Sequence, residues 1–345
     1  MHISQFDYDL PEELIAQQPL AERDASRMLV INRQSQGWND SEFAAFPEFV
    51  GAYDVVAINN TKVFPARLRG HRYPSGGRVD VMLIREIEPL RWEALVKPGQ
   101  RLKKGALLHF GGERLSAQLL DEPGAELRML RFNWSGPLDS ILAEIGQTPL
   151  PPYIKREHSE APTDRDRYQT VFAKNKGAIA APTAGLHFTE KTIRALHAKG
   201  AILAEITLHV GYGTFAPVRV DEIERHTVAA ERFEVTEKTA REINTSRVKG
   251  GRIIAVGTTT VRALESAVTD KGIFESQYAN TNLTITPGYT FRATDVLLTN
   301  FHLPRSSLLV LVSAFAGREL ILRAYRHAVE QRYRFYSYGD CMLIL

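Results

Sequence analysis

The chain has 345 residues, a formal net charge of +3, 24% charged residues and 44% hydrophobic ones. That length suits a large core or two domains, and so mild a basic excess permits nucleic-acid binding without requiring it. The single cysteine, Cys341, excludes an internal disulfide and an iron–sulfur cluster held by cysteines, and it fits a reducing cytoplasm.

The N-terminus, Met1 to Leu10, lacks a basic start followed by an apolar run, so no signal peptide is expected. A Pro-rich loop leads into a strand at 27–32, and Tyr53 to Asn59 reads as a second, buried strand. From Arg67 to Trp134 the pattern turns to short apolar segments. In Arg78 to Ile84, Val79, Val81 and Leu83 fall on one face and Arg78 and Asp80 on the other, the period of a half-buried strand. Turn signals follow at Pro98-Gly99, Gly111-Gly112 and Pro123-Gly124. The fold expected is therefore α/β: a main α/β domain (1–66 and 149–345) with an inserted, smaller all-β, barrel-like domain (67–148).

Leu150-Pro151-Pro152 reads as a hinge. The basic segment after it holds Lys155, Arg156, Arg165, Arg167, Lys174 and Lys176, and it reads either as a solvated loop or as a phosphate-contacting surface for RNA. Strands and helices then alternate: strands at 177–181, 202–210, 252–256 and 296–298, and helices at 189–199, 260–268, 306–316 and about 319–331. The apolar run Leu308 to Ala316 is far shorter than the ~20 residues that span a bilayer.

In α/β folds ligands bind beyond the C-terminal ends of the strands. Four loops in such places share small residues with a histidine or a run of hydroxyls. Ala181 to Phe188 presents Thr183, Gly185, His187 and Phe188. Leu208 to Phe215 presents His209, Gly211, Gly213 and Thr214. Gly257, Thr258, Thr259 and Thr260 open a helix carrying Arg262, a setting suited to an anion. Leu298 to Pro304 presents Asn300 and His302. Each histidine alone reads more readily as a structural hydrogen-bonder than as a catalyst. These histidines show no HxH or HxxxH spacing and no carboxylate spaced to complete a metal triad, and a dinucleotide fingerprint, a P-loop and a nucleophile elbow are missing. The segment Tyr333 to Asp340 holds four aromatics with one arginine, Arg334, and an acid; it reads as a core strand or as a stacking surface for a purine, with Asp340 facing a cation.

Taken together, FDYDLPEELIAQQPLAERDASRMLV (6–30), NNTKVFPARL (59–68), APTAGLHFTE (181–190), TLHVGYGTFAPV (207–218), AVGTTTVRALES (255–266), LLTNFHLP (297–304) and YRFYSYGD (333–340) resemble the S-adenosylmethionine:tRNA ribosyltransferase-isomerase family of queuosine biosynthesis. Where that family usually reads Met-His-Ser-Glu, this chain has Val228-Ala229-Ala230-Glu231, so only Glu231 carries over.

The resemblance implies transfer and isomerisation of the ribosyl part of S-adenosylmethionine. The acceptor is 7-aminomethyl-7-deazaguanine at the wobble position of tRNA, and the products are epoxyqueuosine, adenine and methionine. It implies no metal and no bound cofactor, with S-adenosylmethionine as co-substrate and tRNA as partner. The protein is expected to be a cytoplasmic monomer without membrane attachment. A sulfonium acidifies the adjacent ribose C5′ hydrogen, which a base must take, and adenine must leave with a proton; His187, His209 and Asp340 are the candidates. Expected substrate contacts are Asn59, Asn60, Thr61, Lys62 and Arg67, then Thr183, Gly185, Phe188, Gly211, Gly213, Thr214 and Glu231, with Gly257, Thr258, Thr259 and Arg262 for the methionyl carboxylate, and Asn300, His302 and Tyr338. Aromatic candidates to face the sulfonium are Phe188, Tyr212, Phe215, Tyr336 and Tyr338. Two rivals are an RNA methyltransferase, which lacks its glycine-rich loop here, and a non-catalytic RNA-binding protein, which gives no reason for histidines at several strand ends.

Overall fold

The computed structural model describes residues 1–156, 163–211, 213, 218 and 220–345. Its centre is a mixed sheet, nine-stranded among the described residues. Four neighbouring strands run parallel: Ile202–Leu208, Val55–Asn59, Ile253–Val256 and Val296–Asn300. Antiparallel strands extend the sheet on both sides. Glu231–Val235 and Gln277–Thr281 lie beyond Leu208, and Cys341–Ile344 pairs with Val296–Asn300.

The central strands are mostly apolar until their C-terminal ends, and helices cover both faces of the sheet. Val55 and Ala57 join one core with Val261, Leu309 and Leu320 of the helices Thr258–Ala267, Ser307–Ala316 and Arg318–Glu330. Val56 and Ile58 join the opposite core with Phe43, Phe46 and Leu196. Most expected elements lie within a few residues of their places. The helix Glu190–Ala198 starts at Thr189, whose side chain caps Thr192 N–H. Ser307–Ala316 starts at Ser306, which caps Leu309 N–H.

The expected β region is a closed antiparallel barrel of six strands, from Arg67–Tyr73 to Arg128–Asn133. The region is not purely β, however. The helix Leu138–Ile145 buries Leu138, Ile141 and Leu142 against the barrel core. The C-terminal aromatic segment also differs from its strand reading: the strand begins only at Cys341, after the tyrosines.

The N-terminal segment braces two loops at the sheet's edge. Tyr8 Oη donates to His302 O at 2.5 Å, and Arg305 N–H donates to Phe6 O at 2.8 Å. Leu14 and Ala16 exchange backbone bonds with Phe335.

Candidate active site

A cavity of about 280 Å³ opens where the parallel strands end. Its floor comes from the ends of two strands, through Gly257, Thr258 and Thr259 after Val256, and Thr299, Asn300 and His302 at the end of Val296–Asn300. Thr183 and Ala184 form one wall, and Tyr153 and Tyr336 another, their ring centroids 3.9 Å apart.

Two helix N-termini point into this space, those of Thr258–Ala267 and Ser307–Ala316. The first has no side-chain cap, so its leading N–H groups are left for a ligand. Gly257 makes this possible: its φ of +91° and ψ of 152° belong to a region open essentially to glycine alone. Arg305 (φ +54°) and Tyr336 (φ +73°) also line the cavity in left-handed conformations, strain of the kind that concentrates at functional sites.

His302 is the histidine that faces the cavity. Burial pushes its pKa down to about 3, so it is neutral at ordinary pH. Its Nε2 bonds Thr299 Oγ1 at 3.1 Å. Nδ1 has no hydrogen-bond partner among the described residues.

His187 lies behind the cavity wall. Its Nε2 accepts from Asn300 Nδ2 at 3.1 Å, so Nδ1 carries the proton and donates to Ser26 Oγ at 2.8 Å. Asn300 Oδ1 in turn accepts from Thr183 Oγ1 at 2.9 Å. A chain of bonds therefore runs from His187 through Asn300 to a hydroxyl on the cavity wall. Burial, helped by Arg334 and Arg23, pushes His187 down to about 3. An unfolded histidine titrates near 6.5, so the unfolded chain takes up this proton first. The stabilisation is present above pH 6.5 and is lost as pH falls from 6.5 towards 3, by about 2 kcal/mol at pH 5. His187→Gln cannot titrate. Its melting temperature should fall less than that of the wild type between pH 7 and pH 5. Equal falls in the two proteins would refute a neutral, buried His187.

His209 bonds Thr61 Oγ1 at 2.9 Å, and burial followed by the Arg232 charge pushes it down to about 4. It sits at the strand end as expected but is not part of the cavity lining, although its neighbour Val210 is. Asp340 is a buried brace: its two carboxylate oxygens accept Arg27 N–H at 2.9 Å and Arg334 N–H at 2.8 Å.

The other expected contacts divide between cavity and scaffold. Thr183, Gly257, Thr258, Thr259, Asn300 and His302 are brought together. Asn59 ties two strand ends, donating to Leu208 O at 2.9 Å and accepting Leu208 N–H at 3.0 Å. Asn60 bonds Glu205 and Thr207. Lys62 is exposed, and Arg67 pairs with Asp80 on the barrel. Gly185 is a close approach, where a Cβ would lie 2.7 Å from Phe172. Phe188 is fully buried among Phe43, Phe46 and Phe172, so it cannot face a donor. Tyr338 lies in a separate notch with Arg23, Arg167 and His187.

Arg262 does not reach the cavity. It is buried against Glu231 in an ion pair and donates to Leu283 O at 2.9 Å. Glu231 also accepts Gly211 N–H at 2.8 Å. A Cβ on Gly213 would lie 2.7 Å from that of Ala229, inside the segment where this chain departs from its family's pattern. Tyr212, Thr214 and Phe215 lie outside the described residues. In the basic segment, Arg165 and Arg167 donate to backbone carbonyls of Ala143, Gly146, Leu20 and Ala21, and Arg156 pairs with Asp164. These arginines hold the fold together, while residues 157–162 lie outside the described residues.

Sequence reasoning missed Tyr153, Thr299, Ser306 and Ser307. Ser306 carried a usable signal, a cap residue before an apolar run directly after His302. Tyr153 carried none, because it comes from the hinge region.

The family described as a queuosine biosynthesis protein matches residues 3–344. An S-adenosylmethionine:tRNA ribosyltransferase-isomerase of Moorella thermoacetica is 49% identical over 346 aligned positions, covering 100% of each chain. That of Natranaerobius thermophilus is 48% identical over 345, covering 100% of this chain and 99% of its own. Among solved structures, the S-adenosylmethionine tRNA ribosyltransferase of Thermotoga maritima is 38% identical, covers 99% of this chain and 100% of its own, and superposes with a TM-score of 0.56. With relatives at nearly half identity along its whole length and a family match from residue 3 to residue 344, the chain belongs to the queuosine biosynthesis protein family.

Proposed function

We propose that this chain transfers the ribosyl part of S-adenosylmethionine, with isomerisation, to 7-aminomethyl-7-deazaguanine at the wobble position of tRNA. The product is epoxyqueuosine, and adenine and methionine are released. Full-length relatives bearing that activity in their names support the reading. The observation that carries it is the cavity itself, where an uncapped helix N-terminus, a neutral histidine and two tyrosines meet.

Each feature suits one part of the donor. The N–H groups of Thr258 and Thr259 take the methionyl carboxylate, without Arg262, which Glu231 holds away from the cavity. Tyr153 and Tyr336 offer faces to the sulfonium or the adenine. His302 Nδ1 is the acceptor for the C5′ proton. Thr183, held by Asn300, binds a ribose hydroxyl or the leaving base. His187 acts at one remove, by fixing Asn300. His209 and Asp340 hold the strand ends.

Residues 67–148 form an inserted unit between 1–66 and 149–345. No helix among the described residues is long and apolar enough to cross a membrane, and we place the protein in the cytoplasm as a monomer.

A methyltransferase breaks the bond from sulfur to methyl and leaves S-adenosylhomocysteine. The proposed reaction breaks the glycosidic bond to adenine and the bond from sulfur to C5′. Chromatography with mass detection should find adenine and methionine in equal amounts, formed only with tRNA carrying the aminomethyl base. Stoichiometric S-adenosylhomocysteine would overturn the proposal, and absence of turnover with that tRNA would favour a binding protein.

A further inference from the structure

We propose that the outer face of the barrel carries a divalent transition-metal site built from His71, His109 and Glu113. His71 and His109 are register partners on the antiparallel strands Arg67–Tyr73 and Leu107–Phe110. Leu68, Leu108 and Phe110 on the same strands point into the barrel core, so by the alternation of a strand the two imidazoles point outward. Their ring centroids lie 5.8 Å apart. Tyr73 stacks on His109 at 5.1 Å with planes 6° apart, which fixes that ring.

Nδ1 of His109 is buried and, among the described residues, has no hydrogen-bond partner. A buried polar atom in that state calls for an explanation, an unseen ion being one. Facing it is Glu113, whose Oε1 lies 3.8 Å away. That gap is too long for a hydrogen bond, and it is close to the spacing of two ligands around one zinc ion, roughly 3.3 Å from metal–ligand bonds near 2 Å. Glu113 is held in a left-handed conformation, φ +71°, after Gly111 and Gly112, and this turn brings its carboxylate towards the histidines.

One ligand atom from each of the three residues lies within 4.8 Å of the others, the sole such group among the described residues. Two imidazoles and one carboxylate form a zinc donor set with a position left for water; cobalt and nickel accept the same set. Magnesium and calcium, which prefer oxygen ligands, fit poorly. None of the three residues lines the cavity, so the ion would tie the 111–113 turn to the strand Arg67–Tyr73 without entering the reaction.

The test uses untagged, chelator-treated full-length protein titrated with zinc by calorimetry, and with cobalt followed by visible absorption. One equivalent should bind, and zinc should raise the melting temperature. Binding should weaken at least roughly tenfold in His71→Ala and in His109→Ala, since even outer-sphere losses cost that much. Glu113→Gln changes only an exposed side chain and should also weaken binding, which keeps the test decisive if a histidine variant folds poorly. Ribosyl transfer should stay at the wild-type level in all three variants. Failure of the wild type to take up stoichiometric zinc, or equal uptake by the three variants, would overturn the proposal.

Discussion

Replacing His302 with alanine should lower kcat by roughly 10²–10⁴-fold, the usual effect of losing a general acid or base. The residue lines the cavity and is neutral down to about pH 3. It therefore stands unprotonated throughout the physiological range, as a base must. The variant should fold, because the bonds tying this loop down use the backbone: Tyr8 donates to His302 O, and His302 N–H donates to Tyr325 Oη at 3.1 Å. A circular dichroism spectrum like that of the wild type would confirm this. His302→Gln separates the two roles open to the side chain. Glutamine keeps a hydrogen bond but cannot take the proton, so a base requires His302→Gln to be as slow as His302→Ala. Recovery to within tenfold of wild type would make His302 a positioning residue instead. The low pKa carries a further expectation with a definite sign. Protonation of this group removes activity only well below pH 5, so kcat/KM should be flat from pH 5.5 to 8 as far as His302 controls it.

The strand ends were legible in the sequence because the central strands are apolar runs bounded by small and polar residues. Val55–Asn59 and Val296–Asn300 are buried along their whole length. That pattern located Gly257, Asn300 and His302 at one edge of the sheet. The direction of side chains beyond the strand ends was not legible. Thr183–His187 forms a short 3-10 turn, which carries His187 behind the wall and drives Phe188 into an aromatic cluster. Arg262 looked like an anion anchor because its counter-charge, Glu231, lies on a separate strand. Nothing in the spacing of those two residues announces that they meet. Asp340 misled for a similar reason: an acid among aromatics reads as a cation partner, but its oxygens serve two backbone N–H groups. The strands Glu231–Val235 and Gln277–Thr281 escaped notice because they lie at the outer part of the sheet, where exposed polar positions break the apolar run.

Removing Glu231 should be among the most destabilising single changes in the molecule. Glu231 and Arg262 are 5% and 6% exposed. Glu231→Ala would leave the guanidinium buried with only carbonyl partners, at 2.9 Å from Leu283 O and 3.4 Å from Thr281 O. Stranding one charge of a buried pair costs about 3–5 kcal/mol, far more than an exposed pair contributes. The double variant Glu231→Ala/Arg262→Ala leaves neither charge of this pair behind, so it should be less destabilised than the sum of the single variants, with a coupling of about 1–3 kcal/mol. Thermal or denaturant unfolding of the four proteins measures this directly. Additive losses, or a Glu231→Ala variant within 1 kcal/mol of wild type, would show that the pair is not the brace its geometry describes. Activity carries a second, separable signal. Glu231 also holds Gly211 N–H, at the start of the loop that follows the strand Ile202–Leu208. The double variant regains stability without regaining that tether. Its turnover should therefore remain depressed at a temperature where it is fully folded.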